Sequence, residues 1–157
     1  MPRFAILAAI LLCPLFASAH DGHADDPIKA RRAYFTLIGT NMGVLGAMAR
    51  EKMPYDSAMA ERHAQNLAAL TSYDASVHFP AGTSNRDHPG KTRALPAIWQ
   101  GEGGYNPDFL ARDDAFVDAV AEMQDQAGQG RVELAVTLGF VGRTCKGCHD
   151  DFRAKDF

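Results

Sequence analysis

Apolar residues recur every three to four positions in four stretches of this chain, and proline, glycine and asparagine mark the intervals between them. The first stretch opens at Asp26-Pro27, an N-cap followed by proline at the first helical position. Ile28, Phe35, Ile38, Met42 and Leu45 then fall on one face, and the spacing predicts a helix to about Met53. Gly39, Gly43 and Gly46 lie in its middle, each costing up to about 1 kcal/mol against alanine. They suggest close approach of something flat, a helix crossing, or simply a weak helix. A second helix is expected from Asp56 to near Tyr73, with Met59, Leu67 and Leu70 as its stripe.

From Asp74 to about Ala94 the composition turns to proline, glycine, serine, asparagine and charge. A loop of that length in a small domain usually covers something. Leu95-Pro96-Ala97-Ile98-Trp99 follows, with the only tryptophan. Asn106-Pro107 opens a third helix with Phe109, Leu110, Phe116, Val117, Val120 and Met123 inward, closed by Gly128 and Gly130. The fourth is expected from about Arg131 to Lys155, with Leu134, Ala135, Leu138, Val141, Cys145, Cys148 and Phe152 on one side. No strand pattern competes. The expected fold is all-α, an antiparallel four-helix bundle.

A covalently bound haem enters through Cys145-Lys146-Gly147-Cys148-His149, which reads C-x-x-C-H, the attachment signature of c-type haem. Two thiols three residues apart match the two vinyl groups of one porphyrin, and the next residue supplies an imidazole to the iron. On a helix, positions 145, 148 and 149 share a face. A zinc site needs further Cys or His ligands close by, and none follow. A thioredoxin-like dithiol needs a βαβ unit, and none is visible. Trp99 then reads as a residue packed on the haem edge or as an ordinary core tryptophan.

Residues 1–19 resemble a secretory signal: Arg3, an apolar run from Phe4 to Phe16, and the small residues Ala17-Ser18-Ala19 before the expected cleavage. The run is short for a membrane span, and Leu12 makes a lipoprotein reading of Cys13 weak. Removing 19 of the 157 residues leaves 138, residues 20–157, one haem domain. Cys13 leaves with the signal, so Cys145 and Cys148 are the only thiols left. Haem and export together place the protein in a bacterial periplasm. The charge of −3 becomes −4 without Arg3, which argues against nucleic acid as a partner. The tail His20 to Asp26 reads as solvated; Asp21-Gly22-His23 would suit copper or nickel only if cleavage fell one residue later.

Only eight residues follow His149, and no methionine is among them, so any sixth iron ligand must come from upstream. Met42, two turns from Phe35, is the best spare sulfur; His63 sits among polar neighbours, and His78 and His88 lie in the loop. Met48, Met53, Met59 and Met123 read as core.

Over the whole mature chain the sequence resembles the cytochromes c prime and their low-spin relatives, the class II c-type cytochromes. The likeness rests on Arg31 to Gly43, Pro54-Tyr55-Asp56, Ile98-Trp99, and Val141-Gly142 through the haem motif and Asp150 to Arg153. It implies the four-helix bundle independently. In high-spin members a bulky apolar residue four positions after an early arginine covers the distal haem face; in low-spin members a methionine there binds iron. Counting from Arg31 gives Phe35, where leucine is commoner. The resemblance implies that Phe35 fills the distal site, Arg31 pairs with a haem propionate, and Arg153 lies near the proximal imidazole.

The function so implied is a periplasmic, high-spin, five-coordinate haem protein with His149 as its one protein ligand to iron. It binds nitric oxide or carbon monoxide in a crowded apolar pocket and sequesters nitric oxide. The alternative is a low-spin electron carrier with a redox-protein partner. No acid–base group suited to peroxidase chemistry is visible, so the protein is not expected to be an enzyme. No membrane partner is expected. A homodimer through helices one and two is implied by the resemblance.

Overall fold

A computed structural model describes residues 26–157. The expected signal segment, 1–19, and the polar tail before Asp26 lie outside the described residues. Within them are four α-helices: α1 Pro27–Ala49, α2 Ser57–Thr71, α3 Pro107–Gln126 and α4 Arg131–Phe152. Two 3-10 turns, Ala75–His78 and Pro96–Trp99, lie in the connection between α2 and α3. Sheet pairing among the described residues is limited to the bridges Ala94–Arg153 and Gly101–Gly104.

Local chemistry sets each helix start. The Asp26 carboxylate accepts from the N–H groups of Ile28 and Lys29. Asp56 accepts from Met59, and Asn106 from Asp108. Each satisfies donors that a first helical turn leaves unpaired. α1 stops four residues earlier than its pattern suggests. Arg50 caps it, and Glu51 takes a left-handed conformation with φ 57°.

The helices run antiparallel around a closed ring. Arg131 at the start of α4 pairs with Glu51 just past α1, at 2.8 Å. The Tyr55 hydroxyl and Ser57 Oγ, before and at the start of α2, donate to the carbonyls of Ala127 and Gly128 just past α3, both at 2.8 Å. Arg112 in the first turns of α3 meets Asp151 at the end of α4, at 2.9 Å. The main core lies along the bundle axis, with Leu45, Met48, Leu67, Val120, Met123, Leu134 and Val141 fully enclosed. None of the described helices is long and apolar enough to cross a membrane.

One side chain ties several parts of the long connection to α1. Arg31, 4% exposed, reaches from α1 into it. Its Nη1 donates to the carbonyl of His78 and to Thr83 Oγ1, and its Nη2 to the carbonyl of Thr83 and Thr92 Oγ1, at 2.9 to 3.4 Å. The guanidinium also sits 4.6 Å from the centre of the Phe79 ring.

α4 ends at Phe152, three residues before the expected Lys155, because the next residues pair with the connection. Leu95 N–H donates to the Phe152 carbonyl at 2.9 Å, and Ala154 N–H to the Arg93 carbonyl at 2.8 Å. The ring of Phe157 then lies near two guanidinium groups, 5.9 Å from Arg32 and 5.2 Å from Arg93.

Candidate functional site

Cys145, Cys148 and His149 lie on the last two turns of α4, where the i, i+3, i+4 spacing keeps them on one side. Both thiols are free and half-buried. They join two different clusters. Cys145 packs on the main core, whereas Cys148 packs on a second cluster built from Phe79, Ile98 and Phe152. Trp99, Tyr105 and Phe109 complete that second cluster. Trp99 Nε1 donates to the Phe79 carbonyl at 2.8 Å, which fixes the indole against the connection. Trp99 and Cys148 therefore share one apolar cluster.

A chain of aromatic contacts links this cluster to α1. Phe152 meets Phe109 at 5.4 Å between ring centres, Phe109 meets Phe79 at 5.4 Å, and Phe79 meets Phe35 edge-on at 6.4 Å. Phe35 nonetheless stays 47% exposed, an unusual state for a phenylalanine in an ordinary core. Gly147 inside the motif has its own reason. A Cβ there would stand 3.0 Å from Arg112 Nη1, so glycine lets that side chain cross α4 on its way to Asp151.

Electrostatics follow from partial burial. Burial first, then the charge of Asp113, pushes the Cys148 thiol up to about 11. Burial also raises Cys145. Neither is therefore a ready thiolate. Burial and, next, the Arg93 guanidinium lower the His149 imidazole, while Asp150 opposes them. Burial and Arg93 both favour the uncharged imidazole, the form that binds a metal. Burial pulls the Arg31 guanidinium down, and its bonded acceptors are all neutral oxygens. Arg153 is half-buried, its backbone bridged to Ala94 and its N–H donating to the His149 carbonyl at 3.3 Å.

Met42 lies elsewhere. It lines a groove of about 570 Å³ with Gly43, Arg50, Ala135, Leu138 and Gly142. Those α4 positions are about 10 to 20 Å up the helix from His149, at 1.5 Å per residue. His63 Nδ1 is 2.8 Å from Asn41 Oδ1 between α1 and α2, far along α1 from Phe35's neighbours in the connection. His78 pairs with Tyr73.

Four residues at the site have no signal in the periodicity. Phe79 lies in a polar loop without a repeat. Asp113, on the exposed side of the α3 pattern, acts on both Cys148 and Tyr34. Arg93 acts on His149. Arg112 is pinned to Asp151. Only an unpaired aromatic inside the loop hinted at the first.

The donor set fits a flat apolar prosthetic group. Two free thiols and an imidazole share one helix face, and an exposed phenylalanine stands in the aromatic chain leading to them.

Known proteins carry the same arrangement. A family model described as cytochrome C' matches residues 26–153. A cytochrome c' from Cereibacter sphaeroides is 46% identical over 150 residues, covering 96% of this chain and 97% of that protein. A solved cytochrome c' from Rhodobacter sphaeroides superposes with TM-score 0.77 at 47% identity, over 82% of this chain and 95% of that one. A nitric oxide complex of a leucine-to-isoleucine variant of cytochrome c prime from Alcaligenes xylosoxidans superposes with TM-score 0.69 at 26% identity, over 82% and 94%. With the motif, the bundle and these relatives in agreement, the chain belongs to the cytochrome c prime family, and the family implies a c-type haem.

Proposed function

We infer that this chain is a haem-based binder of nitric oxide and carbon monoxide, with His149 as its one protein ligand to iron. Cys145 and Cys148 hold the haem c through thioethers. The haem supplies a metal position that takes small uncharged ligands. The protein's own part is to shape that position. The observation that carries the reading is Phe35, half-exposed where the aromatic chain that begins beside Cys148 reaches α1. A phenyl ring cannot ligate and offers no hydrogen bond, so it crowds the site and disfavours dioxygen, which gains from a donor.

Arg31 fits a propionate partner because its buried charge is bonded to neutral oxygens alone, which leaves an anion welcome beside it. Arg153 and Arg93 bring positive charge to the imidazole side. Nitric oxide bound in a relative's structure supports the ligand class. The role is sequestration of nitric oxide in the periplasm rather than catalysis. Leu37, exposed on α1, suits a homodimer contact involving α1 and α2.

A low-spin electron carrier with a redox-protein partner is the competing reading, and the position of Met42 disfavours it. The test is the electron paramagnetic resonance spectrum of the ferric holoprotein. A nearly axial high-spin signal is expected. A clean low-spin signal means a protein side chain completes the iron, and gas binding is then abandoned.

A further inference from the structure

The chain has four tyrosines and one tryptophan. Four of these five side chains donate to backbone carbonyls. Tyr34 donates to Leu70 at 3.3 Å, and Tyr55 to Ala127 at 2.8 Å. Tyr105 donates to Ser76 and Phe79 at 3.0 Å, and Trp99 to Phe79 at 2.8 Å. Tyr73 is the exception. Its hydroxyl lies 2.6 Å from Nε2 of His78, with the two rings stacked 5.6 Å apart. A carbonyl accepts a hydrogen bond but not a proton, whereas a neutral imidazole accepts both.

Tyr73 is also connected in two directions. Inward, it stands 6.2 Å from Tyr34, whose ring meets Phe35 edge-on at 5.2 Å. Outward, it is half-exposed and lines a polar cavity of about 220 Å³ with Tyr34, Asp74 and Asp113. Tyr34 suits a relay but not a terminus. Its hydroxyl is bonded to the Leu70 carbonyl and not to a base, and burial, reinforced by Asp113, pushes it up to about 12.

We propose that Tyr73 is a redox-active tyrosine, with His78 as its proton acceptor, that carries single oxidising equivalents from the distal side of the haem pocket to the surface. The inference rests on the family's haem. The oxidant is a hydroperoxide that draws electrons from the pocket. Tyr73 gives one electron inward through Tyr34 and Phe35, its O–H bond breaks, and the proton passes to His78 Nε2. The products are a neutral phenoxyl radical and an imidazolium. Reducing one hydroperoxide to an alcohol and water takes two electrons and two protons; two such oxidations supply the electrons, and solvent supplies the protons. A phenol or enediol reaching the cavity returns each electron and releases its own proton to solvent, while the proton on His78 goes back to the phenoxyl oxygen, restoring Tyr73 and His78. The device protects a pocket that lacks a peroxidase's acid–base group and needs no rapid turnover.

The test treats the ferric holoprotein with hydrogen peroxide, freezes it at intervals and records the paramagnetic resonance spectrum. Covalent haem is scored on the same sample by its stain on a denaturing gel, so a missing cofactor is told apart from a missing radical. A tyrosyl signal is expected that is lost in Tyr73→Phe and diminished in His78→Gln, with a spin-trap adduct mapped to the peptide holding Tyr73. Tyr73 is half-exposed and His78 partly buried, and an unchanged visible spectrum checks that each variant keeps its fold. An equal signal in Tyr73→Phe, no effect of His78→Gln, or haem loss without any tyrosyl signal overturns the proposal.

Discussion

Phe35 and Phe79 meet edge to face, 6.4 Å between ring centres, and so tie α1 to the connection that also holds Trp99. Phe79 is buried and Phe35 is not. If Phe35 covers the ligand side as proposed, truncating it is expected to open that side while leaving the cluster around Cys148 in place. In Phe35→Ala the carbon monoxide on-rate is expected to rise roughly tenfold or more, equivalent to about 1.4 kcal/mol off the entry barrier. Flash photolysis of the ferrous complex measures it. An unchanged rate means that this ring does not gate access.

Met42 is the spare sulfur that its spacing from Phe35 made attractive. In the fold it faces α4 well above His149, in the groove beside Leu138 and Gly142. Replacing it with leucine, a volume-conserving change, is expected to cost under about 1.5 kcal/mol and to leave the ferric spectrum unaltered. Loss of a low-spin component on Met42→Leu, seen by absorption or paramagnetic resonance, restores methionine ligation and the electron-carrier reading.

The parts of this fold that were legible in the sequence are the local ones. Asp26-Pro27 and Asn106-Pro107 bring cap and proline together within two residues, and both mark observed helix starts. The haem motif is equally local. What stayed hidden depends on distant partners. Arg31 binds oxygens 47 to 61 residues away, which no periodicity reveals. The end of α4 was placed too late because its stopping point is decided by Arg93 and Leu95, which take up the backbone groups around Phe152 and Ala154. Phe79 lies in a polar loop, and the loop's covering role was inferred from its length alone.

Partial burial, and then the charge of Asp114, raises the Asp113 carboxyl from its ordinary value although the residue keeps much of its surface exposed. A raised folded-state pKa means that the fold binds this proton more tightly than the unfolded chain does. Above the raised value the ionised carboxylate weighs against the fold, and that burden disappears below the ordinary range near 3.9. Asp113→Asn is therefore expected to stabilise the holoprotein at neutral pH, with the advantage shrinking as the pH approaches the ordinary carboxylate value. Urea melts at several pH values check this. A gain that grows on acidification reverses the sign and refutes the assignment.

Leu37 lies 53% exposed on α1, on nearly the opposite side of the helix from Gly39 at 3.6 residues per turn. A second subunit laid against the Leu37 side would cover it. Leu37→Asp is then expected to shift the protein from dimer to monomer without changing its visible spectrum. Light scattering coupled to gel filtration reads the mass. A wild-type protein that is monomeric at every concentration removes the dimer.

Arg31 provides the strongest stability test, because one side chain holds several separate parts of the connection. Removing it leaves the buried Thr83 and Thr92 hydroxyls and two carbonyls to find other partners, and Phe79 loses the cation beside its ring. A buried acceptor left unsatisfied costs about 1 to 3 kcal/mol, and some of these groups will be rescued by water. Arg31→Met, which keeps the length of the side chain, is expected to destabilise the fold by on the order of 3 kcal/mol in urea melts. Arg31→Lys should fall between, since an ammonium cannot span the same oxygens with the geometry of a planar fork. Early proteolytic cleavage between 78 and 92 in Arg31→Met would place the damage in the connection. A loss below about 0.5 kcal/mol, the range of ordinary surface changes, would mean that the connection is held by the aromatic cluster instead.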